Sequence, residues 1–439
     1  MNDINRQRGE AHGEAAGPQG PLLGLRVIDF THFVAGPYAT MLLADLGAEV
    51  IKIENPERGD EFRHYPPYSE KLNGEGSPFL WVNRNKKSLA VNMKSTHGLR
   101  IVKELIRGAD IVVENFSRGV MERFGLDYET VSSDNPGLIF CSVSAYGDGG
   151  TGTTRVGFDP IAQAESGFMS LNGYADREGV RAGASVIDIS TAMMASNAIL
   201  AAVVERQRTG KGQRVETSLY ATAMTMIGYA PSQTLMDPDW VSTRHGNSSP
   251  DTAPTGVYYA SDGPIYIACT STAIYQRLFT LIGREDLAND ASLIVKKNRL
   301  AARDQLNTAL NAVLATNTVE HWMPRLLAAR IPAGPVRTIA EAIRSPEAEE
   351  LNIVSWIAHP TAGKVPNIRL PITLSRSPLA APVAAPALGQ HTRYVLRHTL
   401  GYDEGQIDML ERAGAFGESG LAPEDTAAAA RCPFLNAAL

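Results

Sequence analysis

The chain has 439 residues, 44% hydrophobic and 20% charged, enough for two globular domains with separate cores. A formal net charge of −6 argues against a general nucleic-acid binder, while leaving room for a local basic pocket. The three cysteines, Cys141, Cys269 and Cys432, are far apart and odd in number, so neither a disulfide framework nor a thiolate metal site is expected; a reducing cytoplasm fits.

Residues 1–21 are polar and lack the apolar core of a signal peptide, so they read as a disordered tail. No stretch reaches the ~18 uninterrupted apolar residues of a membrane span. Leu25–Phe30 reads as a strand, Thr31–Gly36 as a turn, Pro37 as the first position of a helix to Leu46, and Ala48–Ile53 as a second strand. This βαβ spacing predicts a parallel sheet. The pattern continues with a helix capped by Ser95, a strand at Asp110–Val113, a short helix at Val120–Phe124 and a strand at Leu138–Val143. Ala184–Ile187 is expected to be a strand, Asp188 its junction, and Ile189–Arg208 the helix that follows. Glu216–Met226 also reads as helical. Beyond it, 237–255 has linker composition, Tyr258–Ile267 the form of a hairpin, and 274–330 a series of helical patterns.

The predicted organisation is therefore a large Rossmann-like α/β domain over 22–230, a linker at 231–254 and a smaller α+β domain at 255–340. A return linker follows at 341–388, then C-terminal helices of the large domain at 389–416 and a flexible tail at 417–439.

Several familiar motifs fail. Gly147–Gly152 matches G-x-G-x-x-G after a strand, but the residues after it do not open a helix, so a dinucleotide pyrophosphate would lack its helix N-terminus. There is no phosphate-loop lysine motif, no Gly-x-Ser-x-Gly elbow and no i, i+4 histidine pair for a helical metal site. What remains is a set of loops at predicted carboxyl ends of strands, where open α/β sheets bind ligands: Thr31–Gly36, Glu114–Gly119, Ala145–Gly147 and the Asp188 junction. Lys52, Arg58, Lys86, Lys87, Lys94, Arg118, Arg123 and Arg155 lie near them in sequence and together could line an anion-binding cleft. Asp188 has two compatible readings: an N-cap, which Asp favours, or a nucleophile kept ionised by the helix dipole.

Ordered phrases along the chain resemble one family. They are LLGLRVIDFTHFVAGPYATMLLADLGAEVIKIE at 22–54, NRNKKSLAVNMKS at 83–95, ADIVVENFSRGVMERFGLDYE at 109–129, GFDPIAQAESGFMSLNG at 157–173, ASVIDIS at 184–190 and RQRTGKGQRVETSL at 206–219. These resemble the class III (formyl-CoA transferase-like) coenzyme A transferases, which share a superfamily with α-methylacyl-CoA racemase. The resemblance implies Asp188 as the catalytic residue. It implies a coenzyme A pocket from His32, Val34, Ala35, Arg58, Val91, Asn92, Met93, Lys94, Asn115, Phe116, Ser117, Arg123, Val156, Gly157, Phe158 and Asp159. It also implies an interlocked homodimer with active sites at the interface.

The racemases of the superfamily place a histidine before the aspartate that here is Asp159; Phe158 occupies that place and cannot carry a proton, which favours transfer over racemisation. Val34 stands where oxalate-specific relatives carry glutamine, and 240–255 has no glycine-rich loop, so an oxalate preference is not expected. The expected partners are acyl-CoA, a small carboxylic acid and a second copy of the chain, with no nucleic acid, membrane, metal or permanently bound cofactor. A racemase and a non-catalytic CoA-binding regulator are the alternatives.

Overall fold

The computed structural model describes residues 19–72, 74–149 and 155–417. The greater part of both expected tails, and Gly150–Gly152 of the glycine-rich match, lie outside these residues. The chain divides into two compact units. Of the described residues, one holds those up to Ser166, Gly183–Met226 and those from Asn352 on; the other holds Gly167–Ala182 and Ile227–Leu351. Residues 167–182, placed in the large domain by the sequence reading, thus belong to the second unit, and so does the segment read as a linker, which contains a helix at Ala230–Met236.

The first unit is built on six parallel strands: β1 (Arg26–Asp29), β2 (Glu49–Glu54), β3 (Lys86–Ala90), β4 (Ile111–Glu114), β5 (Ile139–Ser144) and β6 (Arg214–Ser218). Their order is β3-β2-β1-β4-β5-β6, the doubly wound arrangement of a Rossmann-like sheet. The central strands are apolar on both faces because helices cover both. On one face, Ile28, Ile51, Val112 and Phe140 pack with Ile101, Val102 and Leu105 of the Thr96–Arg107 helix and with Val395, Leu396, Ile407 and Leu410 of the C-terminal helices. On the other, the Ala35–Asp45 helix packs against the long Val186–Thr209 helix. The latter is long and apolar enough to cross a membrane by length and composition, but Ile187, Thr191, Ala195, Ile199 and Val203 are buried within the unit.

Four strand expectations need correction. Ala184–Ile187 is not a strand: the long helix begins at Val186, with Ser185 at its N-cap, so Asp188 lies inside the first turn. Glu216–Ser218 is strand, and the helix starts only at Leu219. The β3 strand was not foreseen, and neither was the antiparallel pair β10 (Val354–His359) and β11 (Gly363–Ile368), which occupies the segment read as a return linker. Pro37 sits third in its helix, behind Ala35 and Gly36.

Charges buried at the carboxyl ends of β1 and β2 and at the amino end of β3 lock the neighbouring loops. Lys52 on β2 is fully buried; its Nζ lies 2.9 Å from Asp60 Oδ2 and donates to the Thr31 carbonyl. Lys86 on β3 reaches Asp29 Oδ2 at 3.0 Å and the Pro37 carbonyl at 2.8 Å. Glu54 receives both Arg63 Nε and Nη2, at 2.9 and 2.8 Å. Lys52 and Lys86 are therefore structural ions and not part of an anion-binding cleft. Burial would raise the Asp60 carboxyl, but Lys52 and His32 outweigh it and hold Asp60 well below the usual carboxylate range.

The second unit has its own antiparallel sheet of β7 (Thr255–Tyr259), β8 (Pro264–Ala268) and β9 (Ala333–Pro335). Ile265 and Ile267 pack with Tyr275, Leu278, Phe279, Leu306, Leu310, Trp322 and Leu326 from the helices Thr272–Leu281, Arg303–Leu314 and Val319–Ala328.

A buried ion stripped of its partner is costly, so Lys52→Met should lower stability by about 3–5 kcal/mol. Adding Asp60→Asn should recover part of that loss. Urea unfolding of the two variants measures both effects; equal stability of Lys52→Met and the unsubstituted protein would show that the ion pair has no structural role.

Candidate active site

The strand order reverses between β1 and β4, so the loops leaving these strands flank the crevice of the sheet. The Thr31–Gly36 loop is held tightly. Asn115 clamps it from the end of β4: its Oδ1 accepts from His32 N and its Nδ2 donates to His32 O, both at 2.9 Å. Asp60 Oδ1 accepts from Phe33 N at 3.1 Å. Gly36 lies so close to Thr31 that an added Cβ would come within 2.4 Å of that side chain. His32, Val34 and Ala35 are buried, and the His32 ring lies 5.6 Å from that of Phe116. Phe116 is itself fixed by its N–H, which donates to Glu114 Oε2 at 2.9 Å, and burial raises the Glu114 carboxyl to about 7.

Met93 and Phe116 pack, partly buried, on the same apolar cluster, which also contains Val91 and Phe30. Those two flexible or flat side chains suit the face of an adenine or a pantetheine arm. Asn92 Oδ1 accepts from Lys94 N at 3.0 Å, turning the chain after β3. Lys94 and Arg123 are exposed and make no ion pair among the described residues, so both are available to phosphate. Ser117 is exposed beside them.

Other expected basic residues are already committed. Arg58 pairs with Glu61 at 3.0 Å, Lys87 with Glu49 at 2.6 Å, and Arg155 with Glu165. Arg118 donates to the Asp148 carbonyl at 3.2 Å. The Asn115 amide is likewise spent on the loop. Its place in the site is that of a clamp on His32.

Asp159 has a role that its sequence neighbourhood does not announce. It opens the Asp159–Glu165 helix and is almost wholly buried. Its Oδ2 accepts from Ile187 N at 2.7 Å and from Asp188 N at 3.1 Å, while its Oδ1 accepts from Gln163 Nε2. Asp159 thus supplies, from 29 residues away, the cap that the sequence reading assigned to Asp188. The Asp188 carboxylate makes no hydrogen bond or ion pair among the described residues and is half-buried. Burial, and then the neighbouring charge of Asp159, raise it to about 7. The expectation that the helix dipole keeps Asp188 ionised is therefore corrected: its carboxyl is raised, not held low. Asp159 takes the favourable amides, and its charge opposes a second one nearby. Those amides are also unavailable as oxyanion donors, since the Ile187 and Asp188 N–H groups go to Asp159 and that of Ile189 goes to Ser185 O.

Phe158 and Val156 are exposed, and Gly157 packs under the Tyr146 ring, where a Cβ would approach the ring to 3.1 Å. Phe158 meets Phe33 edge-on at 6.1 Å between ring centroids.

Comparisons with known proteins place the chain in a family. Residues 22–392 match the family described as CoA-transferase family III. A succinyl-CoA:glutarate CoA-transferase of Mus musculus is 34% identical over 395 residues, covering 90% of each chain. An acetyl-CoA:oxalate CoA-transferase of Acetobacter aceti is 36% identical, covering 77% of this chain and 86% of its own. The crystal structure of a CAIB/BAIF family protein from Brucella suis superposes with a TM-score of 0.79 at 32% identity, covering 86% of this chain and 98% of its own. The chain belongs to CoA-transferase family III. It is a CoA-transferase, an enzyme that moves coenzyme A from an acyl-CoA thioester to a free carboxylic acid.

A carboxyl group that titrates near 7 gives a definite pH dependence. If its ionised form does the chemistry, kcat/KM should rise about tenfold per pH unit below 7 and level off above it. Asp159→Asn removes the opposing charge and should move the midpoint to lower pH. The same group links to stability. Its folded value lies above the ordinary aspartate value of 3.8, so the native state loses stability as pH rises from about 4 through 7. Asp188→Asn should therefore match the unsubstituted protein near pH 4 and be more stable by about 1 kcal/mol at pH 8, after allowance for solvent screening. Thermal melts across that range check the sign.

Proposed function

We propose that Asp188 carries the transfer as a covalent nucleophile. The supporting observation is its carboxylate, half-buried, without a partner among the described residues, and set in the first helical turn by a cap that another residue provides. Asp188 attacks the thioester carbonyl to give a mixed aspartyl anhydride and CoA thiolate. The thiolate attacks the aspartyl carbonyl, giving an aspartyl-CoA thioester and releasing the first acid as its carboxylate. An acceptor carboxylate then attacks the aspartyl thioester, and the thiolate returns to the acyl carbonyl of the new anhydride. Each step exchanges one activated acyl group for another, so the thioester energy is conserved.

Coenzyme A lies along the carboxyl ends of β1, β3 and β4. Lys94 and Arg123 neutralise its phosphates, and Met93 and Phe116 support its adenine or pantetheine. The donor is succinyl-CoA and the acceptor a small dicarboxylate, as the name of the mouse relative says of that protein. No permanently bound cofactor takes part, and the enzyme works in the cytoplasm. The active form is an interlocked homodimer. The Val186–Thr209 helix leaves Met193, Met194 and Val204 exposed at 45%, 47% and 66%, an apolar face suited to a second copy.

Asp188→Ala should fold and lose transfer by at least ~10³-fold in kcat, the scale on which covalent nucleophiles contribute. A screen of acyl-CoA donors against carboxylic acids, followed by mass spectrometry, measures the exchange. A folded Asp188→Ala variant transferring at near the unsubstituted rate would rule this residue out. Val204→Glu should shift the protein from dimer to monomer in light scattering; an unchanged dimer would place the interface elsewhere.

A further inference from the structure

Phe33 is one of only four non-glycine residues with positive φ among the described residues, at 64°. Bulky residues adopt this conformation only where the surroundings impose it. Here the restraint is Asp60, fully buried and paired with Lys52 at 2.9 Å, whose Oδ1 accepts from both Phe33 N (3.1 Å) and Phe62 N (2.9 Å). One carboxylate thus fixes two aromatic residues at once. The Phe33 ring then lies 6.3 Å from Phe62, 5.7 Å from Tyr65 and 6.1 Å from Phe158, the last two contacts edge-on. Tyr65 and Phe158 remain 49% and 46% exposed, so this cluster is an open wall and not a closed core.

The wall is joined through the chain to the cap of the Asp188 helix. Phe158 directly precedes Asp159, whose Oδ2 is 3.1 Å from Asp188 N. Cations next to it in sequence are turned elsewhere: Arg63 to Glu54 and Glu75, Arg58 to Glu61, Arg155 to Glu165. The surface it offers is apolar.

We propose that Phe33, held in its strained conformation by Asp60, is a specificity-determining residue whose ring packs against the methylene body of the transferred acid, so that longer acids are favoured over those with none. The inference rests on Asp188 as the transfer centre. An acid with two or three methylenes buries them against Phe33 and Phe158; oxalate has none to bury. An apolar contact of one methylene discriminates by about tenfold, so the effect is measurable.

The test is the ratio of kcat/KM for glutarate to that for oxalate as acceptors. In a two-stage exchange each value is independent of the donor, so the best donor from the screen serves. Phe33→Ala should lower the ratio at least ~10-fold, with kcat/KM for oxalate little changed. Phe158→Ala should lower it likewise, and Phe33→Leu should restore most of it. An unchanged ratio in folded, active Phe33→Ala and Phe158→Ala overturns the proposal and leaves Asp188 untouched. Equal losses for both acids also overturn it, placing the pantetheine arm against the wall. Unsubstituted enzyme that transfers to no acid overturns the functional reading and this inference with it.

Discussion

The candidate site is organised by one carboxylate that caps a helix. Asp159 places its Oδ2 on the first free amides of the Val186–Thr209 helix and thereby fixes where the helix starts. An uncapped helix end buried in a unit would leave donors unsatisfied, at about 1–3 kcal/mol each. Filling them with the side chain of Asp188 itself would turn that carboxylate back onto its own backbone. Supplying the cap from the Asp159–Glu165 helix removes this conflict and leaves the Asp188 carboxylate without a hydrogen bond or ion pair among the described residues. The same arrangement bears on protonation, because burial, and then the capping charge, raise the Asp188 carboxyl to about 7. A more basic carboxylate is a better nucleophile once ionised, and at neutral pH a substantial fraction is.

A second constraint lies beneath the crevice. Lys52, Asp60, Lys86, Asp29, Glu54 and Arg63 form buried pairs between the ends of β1, β2 and β3 and the loops that leave them. Such pairs contribute little net stability compared with apolar packing, but they are unforgiving of rearrangement. Their benefit here is geometric: the Thr31 carbonyl, the Phe33 amide and the Pro37 carbonyl are each fixed by a charged group. Asn115 completes the fixation from β4. A loop fixed in this way is set before any ligand arrives, which lowers the entropy cost of binding.

Much of the fold was legible where apolar runs are continuous. The strands β1, β2, β4 and β5 stand out because both faces are buried and apolar residues dominate each run, with Lys52 in β2 and Ser142 in β5 as the interruptions. The two edge strands were not. β3 reads KKSLA and β6 reads RVETS, with polar side chains suited to a sheet edge and to ion pairing. Lys52 carried a usable signal: a lysine inside a strand buried on both faces must find a carboxylate, so it could have been set aside as a ligand contact. Asp159 and Phe33 carried none. The one is a helix-starting Asp like many others, and the other a phenylalanine in a turn.

The sequence by itself determined the class of sheet, the family and the candidate nucleophile, because strand periodicity and ordered motifs are local properties of the chain. Tertiary structure decided which carboxylate caps and which is left unpaired among the described residues, which cations stay exposed and which are spent inside, and that a strained Phe33 packs against Phe62, Tyr65 and Phe158. These outcomes depend on partners 27 to 29 positions apart and on how much water each group loses. Neither quantity exists until the chain is folded.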